Sequence, residues 1–500
     1  MIKVMTAEQS QALDAKAEAA GVKSPWLMEV AGAKAAQYIG ERLDGDRVLV
    51  VVGPGKNGGD GLVVARHLAR YWPVDVVLVR GTPKFEEAAG LVESAARYGA
   101  EIYSAESLIE RLGRATVIVD AILGTGIRAP LKPWAKTCIE QINGASLPCY
   151  ALDVPSGVDA NNGQVDETAI RAEATITFGA SKWGHWCYPG TGMRGNLAVA
   201  DIGLPNAAGG GRLIDADELR RWIKPLRADG HKYQRGRLAV IGGSPDMPGA
   251  PQMVAEAGLR MGIGLVQLMV PRSLIARLSV SSAMLVHGSD EDSAGRLRLT
   301  EAQWVLLKKS DAVVVGPGLG PMPGVEWIEE LVDMGKPTVI DADGLRVLNS
   351  SPLKPPLPSL VLTPHEGEAA RLLGISVDEV RADRLAAFMA LEKKYGAAVV
   401  LKGPHTISGT SDHLYVNVSG IPELATAGSG DVLSGVIGGL LAAGYPNWQA
   451  ATMGVYIHGM AARQAAMGHG QSLIAPDLIE ALSGDWTRLV KATGEEVTWV

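Results

Sequence analysis

Aromatic side chains are scarce in this chain of 500 residues: phenylalanine occurs only 3 times. Cysteine is as rare, with Cys138, Cys149 and Cys187 forming no CxxC pair. Only His185 lies close to one of them, and a single His–Cys pair does not supply the four ligands of a structural zinc site. This usage argues against a disulfide framework and fits isolated core thiols in a reducing, cytosolic compartment. No apolar run reaches the ~20 residues needed to span a bilayer. The opening residues, Met1–Gln11, are largely polar and carry no signal-peptide apolar region. There is no clustered Lys/Arg tract, and the formal net charge is −7. Both facts argue against a nucleic-acid or membrane-surface role. They leave anionic ligands open, because backbone N–H groups bind phosphate without basic side chains.

Glycine is abundant, at 61 residues, beside 47% apolar and 20% charged residues. A chain this long exceeds one hydrophobic core, so two large domains or three modest ones are expected. Thr6-Ala7-Glu8-Gln9 reads as a capping box opening a helix, and a second helix is expected near Leu27–Ile39. Strands are then expected at Arg47–Val52, Val74–Val79, Thr116–Val119, Cys149–Leu152, Thr175–Phe178 and Leu197–Ala200. The continuous apolar run of the first marks a parallel sheet covered on both faces. The pattern breaks near Pro205, where Ala207-Ala208-Gly209-Gly210-Gly211 is a linker candidate. A second alternating series follows: Arg237–Ile241, Leu265–Val270, Ala312–Val315, Thr338–Ile340, Leu360–Leu362 and Ala398–Leu401. A hairpin is expected over Thr406–Val418. The division expected is 1–206, a glycine-rich connection over 207–230, and 231–500.

Open α/β sheets bind ligands beyond the carboxyl ends of their strands. In the first half these ends deliver Asn57 and Asp60, in a glycine-rich turn ahead of a helix expected over Leu62–Ala69, and then Asp120 and Asp153. A tight turn alone would explain the glycines, and a helix N-cap would explain any one aspartate. Three carboxylates on one rim suggest a cation, a general base, or both, and oxygen donors without Cys or His suit a hard cation. In the second half, Ala425-Thr426-Ala427-Gly428-Ser429-Gly430-Asp431 leads into an apolar helix expected over Val432–Ala443. Helix N-termini bind phosphate oxygens. Asp431 there could take a proton from a substrate hydroxyl, or merely complement the helix dipole. Neighbouring strand ends carry Gly316–Gly320, Asp341–Asp343, Thr363–Glu368 and Lys402–Thr406.

The segments LMEVAGAKAA, VVGPGKNGGDGLVVARHL, VDAILGTGIRAPL and ALDVPSGVDANNG resemble the NAD(P)HX epimerase family across nearly the whole first half. The resemblance implies a Rossmann-like three-layer sandwich that interconverts the R and S hydrates of NADH and NADPH. It implies Asn57, Asp120 and Ser156 as ligands of K+. It implies Lys56, Asn57, Gly58, Gly59, Asp60, Gly124, Thr125, Gly126, Ile127, Arg128, Ala129, Pro130 and Asp153 as substrate contacts, with Asp153 as the acid/base. Lys56 stands where the family usually has Asn, and Ala129 where it usually has Gly. The segments LAVIGGSPDMPGA, VVVGPGLG, VIDADGL, LTPHEGEAARLL, LKGPHTIS, AGSGDVLSGVIGGLLAAG and GVYIHGMAA resemble the NAD(P)HX dehydratase family of the ribokinase-like superfamily. That resemblance implies phosphorylation of the S hydrate by ADP with Mg2+, then loss of phosphate to give NAD(P)H and AMP. It implies Lys402, Gly403, Pro404, His405, Thr406 and Gly430 at the nucleotide. Ala250, Gly320 and His365 would meet the hydrate, with Asp431 as base. Tyr233 and Arg463 depart from the family's usual Gly and acidic residue. A homo-oligomer acting on small molecules is expected. A small-molecule kinase in the second half, or a non-catalytic scaffold in the first, are the alternatives.

Overall fold

The computed structural model describes residues 2–127, 130–206, 209–225, 228–279, 281, 283–291, 297–320, 326–349, 353–483 and 497–500. Two compact units result. One takes in Ile2–Gly211 together with the chain's last strand, and the other starts at Arg212. Among the described residues no helix is long and apolar enough to cross a membrane.

The first unit carries a wholly parallel sheet. Its order is Glu101–Ser104, Val74–Leu78, Val48–Val52, Val117–Ala121, Cys149–Leu152, Ala174–Phe178, Asn196–Ala200 and Val497–Trp499. All five residues of Val48–Val52 are buried, as a central parallel strand covered on both faces requires. Val48, Val50 and Val52 pack with Leu62, Ala65 and Leu68 on one face. Leu49 and Val51 pack with Ile118, Ile139 and Ile142 on the other. This is the three-layer α/β sandwich expected. The six strands expected from sequence all form, each within two residues of its expected bounds. Glu101–Ser104 was not anticipated: it is an edge strand without a buried residue, so it has no apolar run to betray it. Nor was Val497–Trp499, whose partner Leu197–Val199 lies some three hundred residues earlier.

The helix after Val48–Val52 begins at Lys56, six residues ahead of the expected start, and ends at Leu68. Three of the glycines expected to shape a turn, Gly58, Gly59 and Gly61, therefore lie inside it. A Cβ on Gly61 would fall 2.4 Å from Ala121 Cβ, and one on Gly58 would fall 2.2 Å from the Gly53 carbonyl oxygen. Their absent side chains let the helix press onto the sheet, which local sequence could not distinguish from approach to a ligand.

In the second unit the order is Met284–Glu291, Leu265–Pro271, Arg237–Ile241, Ala312–Val315, Thr338–Ile340, Leu360–Leu362 and Ala398–Leu401, all parallel. Thr406–Gly409 and Leu414–Asn417 then add the expected hairpin, antiparallel. Arg212 and Leu213 pair with Tyr415 and Val416, and Leu219 of the Ala216–Trp222 helix is fully buried. Much of the stretch read as a connection thus belongs to this unit's core, while Ala207 and Ala208 lie outside the described residues. The central helix spans Ser429–Ala442 and is apolar nearly all round, as a helix buried on every side must be. It starts three residues before the expected Val432, because Gly428 caps it in the left-handed region at φ +85°. The three cysteines form no disulfide, and Cys149 and Cys187 are buried.

Candidate active sites

In the first unit, strand order reverses beside Val48–Val52, and the segments after this strand and its neighbours converge there. They line a cleft of about 600 Å³ that includes Lys56, Asn57, Asp60, Gly124, Thr125, Gly126, Ile127, Asp153 and Lys182. Arg128 and Ala129 lie outside the described residues, and Pro130 is exposed. Gly58 and Gly59 sit buried in the first helical turn behind Asn57.

Asp153 follows its strand at φ +64°, in the left-handed region. Non-glycine residues seldom stay there unless their surroundings over-determine them, and such strain collects at functional sites. The surroundings here are specific. The Asp153 carbonyl meets His185 Nε2 at 2.9 Å. Its Oδ1 accepts from Thr177 Oγ1 at 3.0 Å and from Lys182 Nζ at 2.5 Å. Lys182 is 1% exposed and is held by a short strand, Ser181–Lys182, paired with Val4 and Met5. Burial alone would raise the Asp153 pKa, but the Lys182 charge and hydrogen bond outweigh it and hold the carboxyl below its ordinary value. Two further carboxyls move the other way. Asp60 is pushed well above its ordinary value by burial and then by repulsion from Asp153 and Asp14. Asp14 is raised by burial and by Asp153, against the pull of Lys182.

Behind the cleft is a second, oxygen-rich knot. Asp120 is fully buried and accepts from the Ser156 N–H (2.8 Å), Ser156 Oγ (2.7 Å) and the Ile122 N–H (3.1 Å). Burial raises its pKa to about 6 despite these bonds. Asn57 Nδ2 donates to the Leu123 carbonyl at 2.9 Å, while Asn57 Oδ1 is buried without a hydrogen-bond partner. An orphaned buried acceptor is rare and calls for an explanation.

In the second unit Lys402 occupies the corresponding place beyond the strand ends. Its Nζ lies 2.8 Å from Asp341 Oδ1 and 3.8 Å from Glu368 Oε2. Asp341 also accepts from Ser434 Oγ at 2.7 Å. The Lys402 pair and these hydrogen bonds overcome burial and keep Asp341 ionised below its ordinary range. Asp431 lies in the first turn of the Ser429–Ala442 helix. Burial, with repulsion from Asp341, raises its pKa to about 7 against the attraction of Lys402. Gly430 packs close by: a Cβ there would lie 3.6 Å from Lys402 Nζ. Gly403 (φ +136°) and His405 (φ +51°) give the 402–406 loop its bend, and Thr406 Oγ1 donates to the Gly403 carbonyl at 3.1 Å. His365 caps the Glu366–Leu373 helix, its Nδ1 accepting from the N–H groups of Gly367 and Glu368 at 3.0 and 3.3 Å. Its side chain is 60% exposed, with Nε2 3.6 Å from Glu368 Oε1. Gly320 donates its N–H to Asp343 Oδ2 at 2.9 Å, and Ala250 opens the Ala250–Arg260 helix.

Residues 24–184 match the family described as YjeF-related protein N-terminus. Residues 238–483 match the family described as NAD(P)H-hydrate dehydratase. A bifunctional NAD(P)H-hydrate repair enzyme from Thermofilum pendens is 38% identical over 94% of this chain and 93% of its own. The chain belongs to the bifunctional NAD(P)H-hydrate repair enzymes. The family's Escherichia coli member is also 38% identical, over 87% of this chain and 84% of its own. An ADP/ATP-dependent NAD(P)H-hydrate dehydratase from Bacillus subtilis, crystallised with ATP and magnesium, is 26% identical. It aligns over 56% of this chain and 99% of its own, with a TM-score of 0.46.

In this repair-enzyme chain, sequence reasoning had missed Lys182 and Asp14 and had given Asp341 no role. A lone lysine among small and aromatic residues just after a buried strand, in FGASKWGHW, is the one trace Lys182 leaves. Lys56, one departure from family pattern, is exposed, with Nζ 3.4 Å from Ser24 Oγ at the cleft. Arg463, another, donates to the carbonyls of Ser419 (2.7 Å) and Val418 (2.9 Å) and so pins the segment after the hairpin.

Proposed function

We propose that the chain performs both steps of its family's repair. The first unit, Ile2–Gly211 with the last strand, epimerises the R and S hydrates of NADH and NADPH. The second, starting at Arg212, dehydrates the S hydrate at the expense of ADP. The observation that carries this is the presence of two separate carboxylate centres on one chain. Asp153 sits beside Lys182 at one rim, and Asp431 sits beside Lys402 and Asp341 at the other.

Asp431 acts as the base of the second unit. It takes the proton of the hydrate's hydroxyl as that oxygen attacks the β-phosphorus of ADP, and AMP leaves. The phosphate ester then loses inorganic phosphate and a ring proton, restoring the dihydronicotinamide. Lys402 and the N–H groups at Gly430 offset the phosphate charge that develops. The loop from Lys402 through Gly403, Pro404 and His405 to Thr406 holds the nucleotide, while Ala250, Gly320 and His365 hold the hydrate. Magnesium would enter bound to the nucleotide phosphates, which suits its reluctance to shed water.

In the first unit Asp153 moves the proton at the reacting centre, oriented by Lys182 and Thr177. Lys56, Asn57, Asp60 and the Gly124–Pro130 loop surround the hydrate. The donor set of Asn57, Asp120 and Ser156 fits a potassium ion, since it is all oxygen and leaves Asn57 Oδ1 otherwise orphaned. Such an ion supplies fixed positive charge that orders the cleft floor. A cytosolic homo-oligomer completes the reading.

The test is a mixture of R and S hydrates with magnesium, potassium and either ADP or ATP. Full recovery of dihydronicotinamide absorbance with ADP, faster than unaided epimerisation, is expected. Recovery that stops at the S fraction would refute the epimerase. No recovery, with phosphorylation of some other alcohol, would make the second unit a kinase.

A further inference from the structure

The Ala7–Ala19 helix has no role in the reaction described so far, yet it forms one wall of the first unit's cleft. Ser10, Asp14 and Glu18, spaced four apart and so on one helical face, all line it. The helix is firmly seated. Thr6 and Gln9 close its capping box, the Ala7 N–H donates to Asn161 Oδ1 at 2.6 Å, and Leu13 and Ala17 are buried. Asp14 therefore has a fixed place, in the same cleft as Asp153, Lys182 and the orphaned Asn57 Oδ1.

Epimerisation at a carbon carrying both a hydroxyl and the ring nitrogen needs two proton-transfer groups of opposite kind. Asp153, paired with Lys182, is held ionised and can accept. A donor must be a second group in the cleft. Asp60 sits deeper than Asp14, where burial and repulsion from Asp153 and Asp14 push its pKa well above the ordinary value. Asp14 is raised more modestly and is open to solvent, so it can lose a proton and regain it. The titratable and charged groups facing it are Lys182, Asp153, Lys56 and Asp60 from other segments and Glu18 from its own helix.

We infer that Asp14 is the general acid of the epimerase site. The inference rests on the epimerase reading above. Asp153 takes the hydroxyl proton, and the C–O bond becomes a carbonyl. The bond from that carbon to the ring nitrogen breaks, its electron pair goes to nitrogen, and nitrogen takes the proton of Asp14. Rotation of the freed aldehyde and the reverse sequence close the ring on its other face, returning both protons. Nothing is oxidised or consumed.

The experiment uses full-length protein without nucleotide, starting from one pure hydrate and resolving R from S chromatographically. Asp14→Asn should lower kcat about 100-fold with KM nearly unchanged. The wild-type rate should fall as pH rises through the Asp14 pKa, and this alkaline limb should vanish in the variant. Asp14→Glu should restore part of kcat, which a merely structural loss would not allow. Dehydration of the S hydrate in the same samples reports that the second unit is intact. A kcat within about twofold of wild type, an unchanged alkaline limb, or a loss confined to KM would overturn the inference. Failure of wild-type protein to exchange the epimers would instead sink the epimerase reading itself.

Discussion

The two units solve one electrostatic problem in opposite ways. Each sets a lysine at the carboxyl rim of its sheet and pairs it with an aspartate. In the first, Lys182 grips Asp153 itself and keeps it ionised. In the second, Lys402 is committed to Asp341, so Asp431 stands apart with its pKa lifted to about 7. A carboxylate gripped by an ammonium is fixed in place and stays ionised, ready to accept a proton across a wide pH range. One raised to neutrality is poised as a base. The same residue types thus yield different reagents, according to which aspartate the lysine reaches.

The most severe test of this contrast is Asp431→Asn. It should lower recovery of dihydronicotinamide from the S hydrate by about 10²–10⁴-fold and leave epimer exchange untouched. Next is Lys182→Ala, which strands Asp153 as a buried unpaired charge at a cost of about 3–5 kcal/mol. The first unit's melting temperature should drop by roughly 10 °C, read by calorimetry of the full chain, with epimer exchange lost. An unchanged melt would show that Lys182 is not what holds Asp153. Gly61→Ala and Gly438→Ala probe a feature the units share, since each chemistry-bearing helix rests on its sheet through a glycine. A Cβ would fall 2.4 Å from Ala121 in one and 2.4 Å from Val314 in the other. Each should destabilise its own unit by about 1–3 kcal/mol, measured in urea. The mildest test is pH. If Asp431 is the base it must be ionised to act, so dehydration should rise with pH through about 7 and fall below it. Epimer exchange should show no such acid limb at that pH, because Asp153 is already ionised there.

Much of the fold was legible because its signals are local. Runs such as Val48–Val52 and Ala312–Val315 can only be covered strands, and Thr6 with Gln9 writes its own cap. Asp120, Asp153 and Asp431 were legible because strand ends and a helix start announce themselves. The Lys56–Leu68 helix was read short because glycines that press a helix onto a sheet look like glycines that form a turn.

By itself, then, the sequence determined the two α/β units, their strand order along the chain and the aspartates presented at their rims. Periodicity and turn chemistry act over a few residues. Only the tertiary structure decided that Lys182 meets Asp153, that Lys402 takes Asp341 rather than Asp431, and that Asp14 faces the cleft. It also decided that Val497–Trp499 completes the sheet begun at Val48. Those choices rest on Coulomb interactions, desolvation and edge pairing between groups far apart in sequence, which no local pattern encodes.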